Sequence, residues 1–252
     1  MAQRDKALAF ADMHQPGSPL ILYNIWDAGS AKTLADAGAL AVASGSWSVA
    51  AAQGYGDGQK IPLDLLLQLV ARMTAAVEIP VSIDFEGAYA VEPDAVAANV
   101  LRLIQAGATG MNFEDQIVGE AGLHSTAAQC DRIAAAAAVA EAEDLAFFVN
   151  ARTDLFLKQK DASQHAALLP SAIERGLAYQ EAGASGFFVP GLMNPDLIAQ
   201  ICQAVDLPIN VMFKAGMAPV ADLAACGVAR ISHGPGPYSA VMADLTARFA
   251  AL

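Results

Sequence analysis

The sequence predicts a single (β/α)8 barrel spanning residues 1–252, on three observations: its length, two interleaved strand patterns, and their alternation with helix-period segments. Barrels of this kind fill about 250 residues as one domain. The first pattern sets a glycine after a helix-like segment and follows it with a short apolar run: Gly38-ALAVAS-Gly45, Gly107-ATGMNF-Glu114, Gly183-ASGFFV-Pro190 and Gly227-VARISH-Gly234. Each glycine fits the position just past a helix end, where positive φ is needed, and each run fits a buried strand. The second pattern reads Pro19-LILY, Pro80-VSID, Ala146-FFVN and Pro208-INVM. Proline opens three of these, at a strand entrance where a missing N–H is tolerated.

Taken in order, the copies place strands near residues 20, 41, 81, 110, 146, 187, 209 and 230. Between them the apolar period predicts helices over 63–77, 94–106, 126–143, 172–182 and 194–205, with 238–251 closing the barrel. An open, doubly wound sheet is the alternative, but the glycine fingerprint expected after its first strand is missing. The longest connections follow strands 2, 4 and 5, and barrel chemistry sits on strand-to-helix loops. The loop GSWSVAAAQGYGDG is glycine-rich. The next, DQIVGEAGLHS, reads as a mobile lid that stops at a capping box, Thr126-A-A-Gln129. The charged segment 158–168 has no period and is expected to be partly disordered.

Composition narrows the function classes. Fourteen basic against 26 acidic side chains give a net charge of -12, which argues against nucleic acid or an anionic membrane surface as partner. The densest apolar stretch, 133–140, is mostly alanine between Asp131 and Glu141, far short of the roughly 20 residues of a membrane span. The first residues, MAQRDKALAFADMHQPGSP, lack the apolar centre and cleavage site of a secretory signal. Cys130, Cys202 and Cys226 match neither a disulfide framework nor a CxxC metal site. A reduced, cytoplasmic protein is expected.

Strand 3 ends Asp84-Phe-Glu86-Gly87, and a period of two puts both carboxylates on one side. Strand 4 ends Phe113-Glu114-Asp115, and neighbouring strands lie about 4.8 Å apart, so Asp84, Glu86 and Glu114 are expected to converge at the barrel mouth. Three acids together call for protonation or a cation. With no histidine or cysteine nearby in sequence, the fitting ion is Mg2+ or Mn2+; the competing reading is acids that cap helices or sit solvated on the rim. Arg152, in Asn150-Ala-Arg152-Thr-Asp154, would stand beside this cluster, either gripping a carboxylate or phosphonate or bridging to Glu114 or Asp115. Ser44-Gly45-Ser46 closes strand 2 and either turns the chain or offers N–H groups to an anion. Asn210 must hydrogen-bond inside the barrel or to a ligand, and His233 ends strand 8 as an acid, base, donor or structural residue. His14 and His165 read as surface residues. Gly54-Tyr-Gly56-Asp57-Gly58 lacks the lysine of a phosphate-binding loop.

Together, Ser44-Gly45 with Asp57 after a glycine-rich loop, Asp84-Phe-Glu86-Gly87, Glu114-Asp115-Gln116 and Asn150-Ala-Arg152-Thr-Asp154 resemble the isocitrate lyase/phosphoenolpyruvate mutase superfamily, from Asn24 to His233. The resemblance implies a Mg2+-dependent barrel, usually tetrameric, often with its eighth helix exchanged between subunits. It also implies cleavage or formation of a carbon–carbon or carbon–phosphorus bond next to a 2-oxo acid or its enolate. Carried over by residue, Asp84 is the direct metal ligand, and Asp57, Glu86 and Glu114 hold metal-bound waters. Glu86 stands where aspartate is more usual. Arg152 binds the substrate carboxylate or oxyanion, Ser44, Gly45 and Ser46 bind the other end of the oxo acid, and Asn210 is a substrate contact.

The lid departs from the pattern. Isocitrate-type lyases carry K-[KR]-C-G-H there, and the corresponding stretch is Glu120-Ala-Gly-Leu-His124, which keeps only the histidine. The lysine and asparagine of the mutase and phosphonopyruvate hydrolase branch are also missing. What remains suits chemistry whose main demand is stabilising an enolate: a lyase or decarboxylase acting on a small 2-oxo dicarboxylic acid, with His233, His124 or Tyr55 supplying the proton. The alternatives are a phosphonopyruvate-type hydrolase or phosphoenolpyruvate mutase, and a non-catalytic barrel that binds metal and oxo acid. A homo-oligomer, tetramer or dimer, is expected from the resemblance.

Overall fold

Apolar residues alternating along each strand face two environments, and this decides the architecture. A computed structural model describes residues 2–252. In chain order it contains α1 (Gln3–Asp12), β1 (Leu20–Leu22), β2 (Asn24–Ile25), α2 (Ala28–Asp36), β3 (Val42–Ser44), α3 (Ser46–Ala52), α4 (Leu63–Ala76), β4 (Val81–Asp84), α5 (Pro93–Gln105) and β5 (Gly110–Glu114). There follow α6 (Thr126–Ala142), β6 (Phe148–Arg152), α7 (Leu155–Lys158), α8 (His165–Glu181), β7 (Gly186–Phe188), α9 (Pro195–Ala204), β8 (Ile209–Met212), α10 (Val220–Ala225), β9 (Arg230–Ser232) and α11 (Gly236–Ala250). Every strand pair is parallel, in the order β1-β9-β8-β7-β6-β5-β4-β3-β2. Because β1 and β2 are two halves of one strand broken at Tyr23, this order closes an eight-stranded barrel, as the spacing predicts.

The outward positions Val42, Ile83, Met111, Phe113, Val149, Phe187, Val211 and Ile231 belong to one apolar layer shared with the helices. There they meet Leu66, Val70 and Met73 of α4 and Val96, Val100 and Leu103 of α5. The inward positions differ by level. At the bottom Leu20, Leu22, Ala41, Ala43 and Phe148 pack with Phe10 of α1. Above them the interior is polar: Ser82, Asn112, Asn150, Asn210 and Arg230 are all buried. Arg230 on β9 donates to Asn112 on β5 (3.1 Å), strands that are not neighbours, so this bond crosses the barrel's inside. Among the described residues no helix is long and apolar enough to cross a membrane, and all three cysteines are free.

Several local expectations are corrected. Segment 158–168 is ordered: α7 ends at Lys158, a 3-10 turn covers Ala162–Gln164, and α8 starts at His165, seven residues before the predicted helix. His165 is buried rather than on the surface, its Nε2 within 2.8 Å of the Gln159 carbonyl. The cap of α6 is Ser125, which accepts from Ala128 N–H, one residue before the predicted box. The glycine-rich loop after β3 contains α3.

His14 is likewise buried, where α1 plugs the barrel bottom. Its ring stacks on Phe148 at 3.9 Å, and Nδ1 lies 2.7 Å from the Phe10 carbonyl, to which it donates. Burial, reinforced by the Arg230 charge, lowers its pKa to about 3. The unfolded chain therefore takes up a proton near pH 6.5 that the folded chain refuses until about pH 3, so stability present above pH 6.5 is lost as the pH falls through this window. Between pH 7.5 and 4.5 the loss from this residue is expected to be about 3 kcal/mol. Urea unfolding of the wild type and His14→Asn at both pH values measures it as the difference between their pH dependences; equal dependences would contradict it.

Candidate active site

The C-terminal strand ends surround a cavity of about 210 Å3. Asn24, Asp84, Asn112, Arg152, Phe188, Met212 and Ser232 line it from β2, β4, β5, β6, β7, β8 and β9, and Gly45, Ser46 and Asp57 close its side. Strand alternation explains the selection, since these residues occupy inward positions at the top of the polar interior and just above it.

Asp84 is the most constrained acid. Its Oδ2 accepts from the backbone N–H (3.0 Å) and the hydroxyl (2.8 Å) of Ser46, and Oδ1 accepts from Asn112 Nδ2 at 3.5 Å. Ser44 turns its hydroxyl oxygen to the Asp84 N–H (3.0 Å), so Ser44 and Ser46 both hold this strand end. Arg152 faces Asp84 with Nη1 at 3.7 Å, while the same nitrogen meets Glu114 Oε2 at 3.1 Å. Its Nε and Nη2 form a fork on the two oxygens of Asp154, at 2.6 and 3.0 Å. Burial opposes the charge on Arg152, but Glu114, Asp154 and Asp84 together hold its pKa above the ordinary guanidinium value.

Around this single guanidinium the acids are in excess. Burial and the charges of Asp84 and Asp57 push the Glu86 carboxyl up to about 8, even though its Oε2 accepts from Gln59 N–H at 2.8 Å. Burial and Asp84 raise Asp57, and burial raises Glu114 well above the usual carboxylate range. Glu86 itself sits at φ 51°, followed by Ala88 at 58° and Tyr89 at 57°. Left-handed side-chain-bearing residues cost on the order of 1–3 kcal/mol each and persist only where the surroundings impose them. The buried Arg132 supplies that restraint, its Nη2 donating to the carbonyls of Gly87 (2.8 Å) and Ala90 (3.0 Å).

An oxygen-only donor set with more carboxylates than cations fits a hard divalent ion such as Mg2+ or Mn2+. Among the described residues, no three acidic, histidine or cysteine side chains form a ready-made cage for one. A single direct carboxylate, with its neighbours acting through retained waters, needs no such cage.

Other sequence candidates lie apart from the cavity. His124 lines a separate pocket of about 350 Å3 with Gln59, Tyr89 and Arg132, and its carbonyl accepts from Arg175 at 3.1 Å. The lid between Gln116 and Leu123 folds as a small antiparallel turn, with Ile117 N–H on the Gly122 carbonyl. His233 lies between Tyr23 and Phe213 in a third pocket that shares only Met212 and Pro235 with the cavity. Asn210 sits below the cavity and accepts from the Ser232 hydroxyl at 3.3 Å. Conversely, Asn112 and Asp154 emerge as site neighbours not singled out from sequence. Asn112 shares a strand face with Glu114, and Asp154 stands in the same motif as Arg152, so spacing alone could have flagged both.

A family model described as phosphoenolpyruvate phosphomutase matches residues 10–252. The solved structure of a "putative phosphonomutase" from Burkholderia cenocepacia J2315 superposes with a TM-score of 0.95 at 43% identity, covering 98% of both chains. An uncharacterised protein of Mycobacterium tuberculosis (strain ATCC 25618 / H37Rv) is 35% identical over 92% of this chain and 84% of its own length. Oxaloacetate decarboxylase of Rhodopseudomonas palustris (strain TIE-1) is 29% identical over 83% of this chain and 71% of its own.

Proposed function

Because the chain belongs to the isocitrate lyase/phosphoenolpyruvate mutase superfamily, and so is an enzyme of small oxo acids, we propose that it cleaves a carbon–carbon bond of a small 2-oxo dicarboxylic acid, with oxaloacetate as the simplest substrate. The observation that carries this reading is the lining of the cavity, which combines few charges with a large apolar share. Asp57, Asp84 and Arg152 are its charged lining residues, and Trp47, Leu157, Phe188, Met212 and Pro235 give it apolar surface. Among the described residues Arg152 is the one cationic side chain on the wall. A phosphonate losing its phosphoryl group needs further cations and a nucleophile, whereas a carboxylate leaving as neutral CO2 is favoured by apolar surface.

In this reading Asp84 is the direct ligand of Mg2+ or Mn2+, and Asp57, Glu86 and Glu114 hold its waters. The bound ion supplies Lewis-acid polarisation of the C2 carbonyl. Arg152 binds the C1 carboxylate or the developing oxyanion, and Gly45 and Ser46 contact the other end of the oxo acid. The bond between C3 and C4 breaks, its electron pair enters the C2–C3 enolate, CO2 leaves, and a proton taken from water at C3 gives pyruvate. Since His124, His233 and Tyr55 all lie outside the cavity lining, water is the proton source.

A carbon–phosphorus reading draws support from the phosphonomutase relative. A panel of oxaloacetate, phosphonopyruvate, isocitrate and 2-methylisocitrate with Mg2+ separates the two. Pyruvate from oxaloacetate, lost with EDTA, is expected; phosphate from phosphonopyruvate without turnover of oxaloacetate would overturn the proposal, and oxalate binding without any turnover would favour a binding protein.

The three free thiols fit a reducing, cytoplasmic setting. Val241, Leu245 and Phe249 form an exposed apolar stripe on α11 at 48%, 60% and 76% exposure. That stripe supports assembly of this chain into a dimer or tetramer, with α11 packed on a neighbouring copy.

A further inference from the structure

The floor of the cavity rests on a cation that no ligand can reach. Arg230, at the start of β9, is fully buried beneath Asn112 and Ser232, both of which line the cavity. A guanidinium only donates, so every polar group it meets must present an acceptor. Its Nη2 donates to Asn112 Oδ1 (3.1 Å) and its Nε to Ser232 Oγ (3.2 Å). Asn150 Nδ2 donates to the same Asn112 oxygen at 2.9 Å. Two donors from different strands thus fix the Asn112 amide one way round: oxygen down, nitrogen up. The Nδ2 group then faces Asp84 Oδ1 at 3.5 Å with one hydrogen, and its second hydrogen has no acceptor among the described residues. Ser232 is oriented oppositely, its hydrogen turned down onto Asn210 Oδ1 at 3.3 Å. On the floor the neutral donor is therefore Asn112.

We propose that Asn112 Nδ2 donates a hydrogen bond to an oxygen of the bound 2-oxo acid, and that Arg230, with Asn150, is the positioning residue that holds this amide in the donating orientation. The inference deepens the reading of the cavity given above and rests on it. It accounts for a buried arginine in a layer that barrels ordinarily fill with Val, Ile or Leu. A rotated amide would set carbonyl oxygen against both Asp84 and an anionic ligand. Arg230 makes that rotation unfavourable, because its Nη2 would then face another donor.

The test uses oxalate, a planar mimic of the enolate of a 2-oxo acid, titrated calorimetrically into the full chain with saturating Mg2+. Asn112→Asp keeps an oxygen for Arg230 and gives it an ion pair that offsets the new repulsion from Asp84, so the protein is expected to stay folded, with the melting temperature as the check. The upper atom becomes an acceptor, and oxalate affinity is expected to fall about 10- to 100-fold. To separate a lost donor from an added charge, the neutral pair Asn112→Leu with Arg230→Met should show the same loss. If that pair does not fold, selective 15N labelling of asparagine in the wild type decides, since the Asn112 side-chain resonance should shift on adding oxalate. Wild-type-like affinity in the folded neutral pair, or an Asn112 resonance indifferent to bound oxalate, overturns this inference alone. A wild type that never binds oxalate overturns the reading of the cavity together with it.

Discussion

Replacing Arg152 by lysine is expected to lower kcat/KM for oxaloacetate by about 10^2- to 10^3-fold. The guanidinium makes three kinds of contact at once: the fork on Asp154, the ion pair with Glu114, and the longer approach to Asp84. A lysine ammonium is a single point of charge and cannot satisfy Asp154 while reaching both other acids. The substitution therefore leaves net charge unchanged but loosens the one cation available to a carboxylate or oxyanion. Steady-state kinetics, with circular dichroism as a check on folding, measure the effect; normal activity would remove Arg152 from the mechanism. The loss is expected chiefly in kcat, because the developing enolate carries charge that the ground state lacks.

Asp84→Ala should abolish the dependence of oxalate binding on Mg2+. In the wild type, oxalate affinity is expected to rise by at least about 100-fold when Mg2+ is added, because the ion cancels charge among the crowded acids and joins the ligand. Without Asp84 the direct ligand is gone, and Ser46 loses the acceptor for its hydroxyl and backbone N–H. Metal-free affinity should hold or improve slightly, since a carboxylate facing an anion has been removed. Calorimetric titration with and without Mg2+ measures both quantities. If the Mg2+ dependence survives the substitution, Asp84 is not the ligand. Reading the coupling, rather than binding strength alone, protects the result from a small change in cavity shape.

The eight strands were legible because their boundaries carry local chemistry: glycines at Gly38, Gly107, Gly183 and Gly227, all at positive φ, and prolines at strand entrances. Asp84 and Glu114 were legible as strand-end acids because alternation fixes which side a residue faces; Glu86 lies past the end of β4 at positive φ, where strand alternation no longer applies. Alternation does not fix depth. Asn210 reads like a ligand contact yet lies below the cavity, while Asn112 forms its floor. Nor does sequence position say where a loop turns its side chain, so His124 and His233 sit at the expected ends of the barrel but line other pockets. Helix α1 carries only Ala7 and Phe10 to the core and so shows no helical stripe. The burial of His14 comes from stacking on the distant Phe148, which no local window contains, whereas His165 is buried by nearby Phe156 and the Gln159 carbonyl in a packing that periodicity does not encode.

The break at Tyr23 bears on how the barrel is held shut. Between other neighbouring strands the closure is a ladder of hydrogen bonds that can fray one rung at a time. Here β1 pairs with β9 and β2 with β3, so the last seam of the cylinder is the covalent chain through Tyr23 itself. Asn24 reinforces that seam, its side chain accepting from the N–H groups of His233 and Gly234 and donating to the Ser44 carbonyl. A cut in the chain at this point would turn a closed cylinder into a curled sheet with two free edges. Rearranged versions of the protein, with new ends placed elsewhere, must therefore leave residues 20–25 uninterrupted.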